Sequence, residues 1–212
     1  MALESLRDEI LSQLHNHKLL NSLDLASIET YFGGLLALNE SLAKHLWHVV
    51  AHGTRVVSED PTLFVSALRI IEREEGIDAV LLQRAHPPGF LPPGRPKCWR
   101  QRFFEVIQST IVASHFEPLP SNVQSQQFSR HLASLQTSIL AELCIVKDLM
   151  VQCCPPHYDI LTAFASMYHQ GLASHLRHIL TWDLDKQEIF ALLHWAIHVY
   201  PRSVPLLTVV IE

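Results

Sequence analysis

The chain has 212 residues, a formal net charge of −5 at pH 7, 48% hydrophobic residues and only 17% charged ones. That length buries a sizeable core without help from disulfides, and the acidic balance excludes a molecule that grips nucleic acid over its whole surface. The charged fraction falls below the quarter usual for a soluble domain, so some apolar surface is expected to face something outside this chain.

Seven helices are expected, because apolar residues recur at three and four between proline clusters that act as stops. Leu3, Leu6, Ile10 and Leu14 make the first stripe. A second segment opens at Asp24 and runs through Tyr31, Leu35, Leu38, Leu42, Leu46 and Val49. Asp60-Pro61 predicts the start of a third helix, a capping carboxylate before a proline whose missing N–H is harmless at the first helical position. Its inward side is expected to carry Leu63, Ala67, Ile70, Ile77 and Leu81. A fourth helix over about 97–116 places Phe103, Ile107 and Ile111 inward, and "EPLPS" ends it. A fifth over about 124–152 carries Leu132, Leu135, Ile139, Leu143, Val146 and Met150, and "CCPP" stops it. A sixth over about 157–181 carries Ile160, Phe164, Met167, Leu172, Leu176 and Ile179. The seventh, "EIFALLHWAIHVY", is apolar nearly all round and is expected to be buried; only "LLTVVI" at the end reads as a strand.

Such long helices with short connectors imply antiparallel neighbours. The expected fold is all-α, elongated antiparallel helical bundles stacked into a rod. Residues 1–85 would form a first bundle portion of three helices, 86–96 a proline-rich connector, 97–200 a second portion of four helices and 201–212 a divergent tail. The four cysteines, Cys98, Cys144, Cys153 and Cys154, form no C-x-x-C pair and read as reduced thiols of a cytosolic protein. The start lacks a basic and apolar leader, and no run of 18 apolar residues occurs, so neither secretion nor a membrane span is signalled.

Catalytic patterns are scarce. His45, His48 and His52 share a helix face and His194 and His198 stand one turn apart, a spacing at which two imidazoles share zinc. The H-E-x-x-H glutamate and the remaining ligands are missing, so no metal and no cofactor is expected. Cys98 beside a positive cluster, or Cys153-Cys154 at a helix end, would be the thiol nucleophiles, but no nucleophile elbow, phosphate loop or kinase signature accompanies them. No enzyme and no small-molecule substrate is expected.

The stretch "GIDAVLLQRAHPPGFLPPGRPKCWRQRFF" has no acid from Ala79 to Phe104. Arg84, Arg95, Lys97, Arg100 and Arg102, with Trp99 as an anchor, suit a partner surface or an anionic lipid headgroup. The competing reading is internal. Positive charge in the first turn of a helix and Glu72, Glu74, Glu75 and Asp78 in the last turns of the preceding one both oppose the helix dipole. An antiparallel hairpin would bring the two clusters together and cancel both faults. The proline-rich stretch is therefore read first as a stiff connector and second as a contact surface.

"DPTLFVSALRIIEREEGID", "GFLPPGRPKCWRQRFFEVI", "LMVQCCPPHYDILTAFASMYHQGL" and "LLHWAIHVY" resemble, in that order, the exocyst component 3 family over residues 24–200. "FALLHWAIHVY", with His198 where the parent subunit usually carries asparagine, is similar to the 3-like branch of that family. The resemblance implies a non-enzymatic subunit of a tethering complex, a cytoplasmic rod of helical bundles that holds secretory vesicles at the plasma membrane. It implies other exocyst subunits and SNARE proteins as partners, with a peripheral anionic-membrane contact as the alternative. Nucleic acid is not implied. Family members are several times longer, so this chain looks like a fragment or truncated form whose apolar faces await neighbours.

Overall fold

The computed structural model describes residues 2–17, 22–84, 90–116 and 125–200. The described residues contain no strand, and the protein is all-α. In chain order the helices are α1 (Ala2–Asn16), α2 (Ser22–Tyr31), α3 (Gly33–Ala51), α4 (Gly53–Glu59), α5 (Pro61–Arg84), α6 (Trp99–His115) and α7 (Ser125–Ile145). A π-helical turn, Val146–Met150, and the short α8 (Val151–Cys153) prolong α7; a 3-10 turn, Pro156–Tyr158, leads into α9 (Ile160–Ile179). Last comes α10 (Lys186–His194), which runs on into a second π-helical stretch, Trp195–Val199. The strand-prone "LLTVVI", the "EPLPS" stop and residues 85–89 of the connector lie outside the described residues.

Local chemistry accounts for several boundaries. The Asp60 carboxylate accepts the backbone N–H groups of Thr62 and Leu63 at 3.0 and 3.3 Å, and Pro61 takes the first helical position, as expected. Asp185 and Glu188 form a reciprocal capping box that opens α10, each side chain accepting the other's backbone N–H at 2.8 Å. The single second segment read from sequence is instead broken: Phe32 makes a turn and the Gly33-Gly34 pair, poor helix formers, restarts the chain as α3. α4, with Val57 buried, lies between the end of that segment and Asp60, where no helix is expected from the sequence.

The chain divides into two compact units, one of Met1–Val50 with Ser66–Phe103, the other of Ala51–Val65 with Phe104–Glu212. In the second unit most of the expected stripe residues are buried, while Met167 and Leu176 of α9 are only half-buried. Ile107 and Ile111 of α6, and Leu132, Leu135, Ile139, Leu143, Val146 and Met150 along α7 and its π turn, are all buried. Ile160, Phe164, Leu172 and Ile179 of α9 join them, together with Tyr168 and His175, which the apolar pattern passes over. α10 packs on α7 by one face only, through Leu192 and Trp195. Contrary to expectation, Ile189, Phe190, Leu193 and Ile197 are exposed, Phe190 at 71%.

The first unit departs further from the stripes. In α1, Leu3 and Leu6 face solvent, while Glu4, Asp8 and Leu11 form the buried row. In the part of α5 that belongs to this unit the buried row is Ala67, Leu68, Ile71, Glu74 and Asp78, with Ile70, Ile77 and Leu81 half-buried; Leu63, on the part that belongs to the second unit, is exposed. Both helices are rotated from the sequence expectation because their inward faces carry carboxylates one turn apart, which an apolar pattern reads as solvent.

Candidate functional site

The four inward carboxylates converge on one arginine of the proline-rich stretch. Pro92 and Arg95 are joined by a backbone hydrogen bond, Arg95 N–H to Pro92 C=O at 3.1 Å, with Pro93 at the second position and Gly94 at φ +82° at the third. These are the marks of a type II turn, which requires a residue that tolerates positive φ there. The turn drives Arg95 inward. Its side chain is 1% exposed and meets Glu74 at 2.8 Å, Asp78 at 2.9 Å, Asp8 at 3.1 Å and Glu4 at 3.6 Å. Lys97 Nζ joins the same cluster, 2.9 Å from Glu4 and 3.0 Å from Glu74. Arg7 adds a third cation, donating to Asp8 at 2.6 Å and to the Pro93 carbonyl at 3.3 Å.

Burial of this many charges is tolerable only because they are mutually compensated. For Arg95, burial opposes the charged form, but the charge and hydrogen bond of Glu74, the charge of Glu4 and the hydrogen bond of Asp78 together outweigh it and hold the guanidinium above its ordinary range. For Glu4, burial pushes the carboxyl up, and the Lys97 hydrogen bond with the charges of Lys97, Arg95 and Arg7 brings it below the usual range.

Asp78 of the cluster and its neighbour Glu75 also accept backbone N–H groups just before and within the first turn of α6. Asp78 Oδ2 accepts the N–H groups of Lys97 and Cys98 at 2.7 and 3.2 Å, and Glu75 accepts that of Arg100 at 3.0 Å. The first N–H groups of a helix have no partner within it, and anionic acceptors there also complement the dipole. Arg100 reaches back to Glu72 through Nε and Nη2 at 3.2 and 2.9 Å. The hairpin pairing is therefore present at Arg100 through Glu72 and Glu75, while Asp78 meets the backbone of Lys97 and Cys98.

The sequence-selected residues thus separate. Arg95 and Lys97 share the charge cluster. Trp99 is buried, edge-on to Trp47 with ring centroids 5.6 Å apart, and Lys97 Nζ lies 4.7 Å from its ring centre, a cation–π distance. Arg100 is half-buried on Glu72, Arg102 is exposed, and the Arg84 side chain lies outside the described residues. Glu4 and Asp8 were missed. Their signal was available: a Glu-x-x-x-Asp pair with Leu11 next on the row, repeated in α5 as Glu74 and Asp78 behind Ile71.

The other candidates carry less chemistry. His45, His48, His194 and His198 are exposed and His52 is half-buried. Among the described residues no group of three or more His, Cys, Asp and Glu side chains is placed to hold a metal ion. Cys98 is exposed and sits at φ +51°, while burial raises the Cys153 thiol. Burial, with Cys153 beside it, pushes Cys154 up to about 12, which keeps it a thiol. In the second unit Glu142 accepts from Thr54 at 2.8 Å, from His115 Nε2 at 2.7 Å and from the Tyr168 hydroxyl. Among the described residues no helix is long and apolar enough to cross a membrane.

An all-α chain whose buried ionisable groups hold helices to one another and to the turns between them belongs to the class of helical-bundle proteins. Its sequence matches the family described as exocyst complex component Sec6 over residues 32–209, and the chain belongs to that family. It is 38% identical over 96% of its length to the exocyst complex component 3-like protein of Danio rerio, of which it covers 27%. It is 36% identical over 94% of its length to exocyst complex component 3 of Drosophila melanogaster, again covering 27%. With the human exocyst complex component 3-like protein the identity is 32% over 80% of the chain and 21% of the relative. The chain therefore spans about a quarter of the length of these relatives. No solved structure matches it.

Proposed function

We propose that this chain acts as a non-enzymatic part of an exocyst-type tethering subunit, docking secretory vesicles at the plasma membrane through contacts with other exocyst subunits and with SNARE proteins. Its place would be the cytoplasm, at vesicles and the membrane periphery. One observation carries the reading beyond family membership: buried charge is compensated within the chain while large apolar side chains point outward. On α10, Ile189, Phe190, Leu193 and Ile197 are exposed along one side, and Leu36 and Leu38 on α3 are exposed as well. Apolar rows of this kind mark protein contacts. The anionic-lipid reading of residues 84–102 has less support, since Arg95, Lys97 and Arg100 already meet carboxylates.

The test is affinity purification of the tagged protein from secretory cells. Other exocyst subunits should co-purify, and F190S/L193S should reduce their recovery without lowering the melting temperature. Recovery of no exocyst subunit with the unaltered protein would end the proposal. Flotation with phosphoinositide liposomes at physiological salt separates the lipid reading, because a scaffold stays unbound.

A further inference from the structure

Arg95 presents two edges to its surroundings. Nη1 faces α5, with Glu74 and Asp78 at 2.8 and 2.9 Å. The opposite edge, Nε with Nη2, is the fork that matches both oxygens of a single carboxylate. It faces α1 and is poorly filled. Nε donates to Asp8 at 3.1 Å, but Nη2 stands 3.6 Å from Glu4 and is buried without a hydrogen bond. Each α1 acid is divided between cations: Glu4 gives its other oxygen to Lys97 at 2.9 Å, and Asp8 gives its other oxygen to Arg7 at 2.6 Å.

The attachment of α1 is also thin. Leu11 is the one fully buried apolar side chain among its described residues; Ile10 and Leu14 are half-buried, and Leu3 and Leu6 are exposed. Alongside the cluster, a groove of about 690 Å³ bordered by Asp8 separates Ser12 and Asn16 of α1 from Gly76 and Val80 of α5, and at its rim His15 stacks on Phe90 with ring centroids 4.5 Å apart. Helices joined by a well-packed interface leave no such space. Without α1, Arg95 and Lys97 would still face Glu74 and Asp78, two cations against two anions. Release of α1 therefore strands no excess charge, and it frees the Arg95 fork and the Lys97 ammonium.

We propose that α1 is a displaceable internal ligand of a carboxylate-binding site made by Arg95 and Lys97, and that the external ligand is an acidic helix of a partner protein with carboxylates at i and i+4. The present occupant defines that chemistry, since Glu4 and Asp8 lie one helical turn apart on a helix. A partner helix that sets one carboxylate squarely on the fork makes the hydrogen bond that Nη2 now lacks. This goes beyond the tethering role and holds whichever assembly the chain serves.

Two measurements on the full chain decide it. In native-state hydrogen exchange, α1 amides should exchange through an opening that leaves α5 and α6 protected; exchange of α1 only together with those helices overturns the proposal. A fluorescent peptide of residues 2–17 should bind the E4Q/D8N chain about tenfold tighter than the unaltered chain, and the same peptide with E4Q/D8N should not bind. If the folded E4Q/D8N chain binds neither peptide, or binds both equally, the site does not read carboxylates. K97Q in the E4Q/D8N background should weaken the acidic peptide, and unchanged affinity would remove Lys97 from the site. Should E4Q/D8N fail to fold, the exchange pattern of the unaltered chain stands as the deciding result.

Discussion

Gly171 on α9 and Phe116, just past α6, meet so closely that a methyl group on Gly171 would stand 2.3 Å from ring atom Cε2 and 2.7 Å from Cδ2. Phe116 is buried, and its ring centre lies 5.7 Å from that of His175. A rigid aromatic ring in that position yields only by moving the helix it touches. G171A is therefore expected to cost about 1–3 kcal/mol through overpacking. That corresponds to a melting temperature lower by roughly 2–4 °C per kcal/mol. Gly76 is the control, because it lies within α5 and nothing approaches its missing Cβ within 4 Å. G76A should stabilise by about 0.5–1 kcal/mol through helix propensity and a less free unfolded chain. Thermal unfolding of both variants, equal in stability, would refute the contact.

Arg95 and Arg100 should respond to truncation in opposite measure although they are five residues apart. R95M leaves four carboxylates that are at most 6% exposed around too few cations, a loss expected to cost about 3–5 kcal/mol. R95K should not rescue it, since one ammonium cannot address α1 and α5 at once as a planar fork does. The Arg100–Glu72 pair is 36% and 31% exposed, so R100A should cost under about 1 kcal/mol. Urea unfolding at pH 7 measures both. An R95M chain as stable as R100A would mean the cluster is not compensating buried charge.

The Glu142 network offers a pairwise test. Burial pushes its carboxyl up, but hydrogen bonds from His115, Tyr168 and Thr54 hold it below its usual range; burial and then Glu142's charge hold the Tyr168 hydroxyl above its own. E142Q replaces an acceptor of three donors by an amide and should cost about 2–4 kcal/mol, because the buried Tyr168 hydroxyl and its neighbours lose a charged acceptor. Y168F removes donor and need together and should cost less. In the double variant the two losses should fail to add by about 0.5–3 kcal/mol. Strict additivity would show that the hydroxyl and carboxylate do not interact.

Where the sequence was legible, one physical signal dominated. Along α6, α7 and α9 most inward residues are apolar, so spacing alone places Phe103, Ile107, Leu132, Met150 and Phe164 in the core, though it passes over Tyr168 and His175. The start of α5 was legible because Asp60-Pro61 combines two independent start signals. In α1 and α5 the rule inverted, since Glu4, Asp8, Glu74 and Asp78 occupy buried rows that hydropathy assigns to water. The pairing of late-α5 acids with Arg100 was readable from dipole arguments, which need only chain order. That Arg95 sits at the centre was not readable, because it depends on the Pro92–Arg95 turn bringing a loop residue between two helices far apart in sequence.

His131 on α7 and His175 on α9 are expected to dominate the pH response of the second unit between pH 6.5 and 4.5. Their Nε2 atoms lie 3.0 Å apart and their ring centres 5.3 Å apart, so the rings meet end to end along one line, one donating and the other accepting. That arrangement needs a lone pair on one ring; with both rings protonated, two N–H groups would face each other. Burial holds both imidazoles below the ordinary histidine value of 6.5, and for His175 the neighbouring His131 and His178 add to the effect. With folded-state pKa values below the unfolded ones, the unfolded chain takes up protons first as pH falls. The contribution of the pair is complete above pH 6.5 and is lost as pH drops from there through the folded values. The carboxyls of Glu4 and Glu142, held below 4.5, enter only beneath that pH. The urea midpoint should therefore stay level from about pH 8 to 7, decline below 6.5 and decline again below 4.5. In H131Q/H175Q the upper decline should shrink while the lower one persists. If the double variant kept the full decline between 6.5 and 4.5, the sensitivity would reside in other groups and the pair would be a packing contact alone.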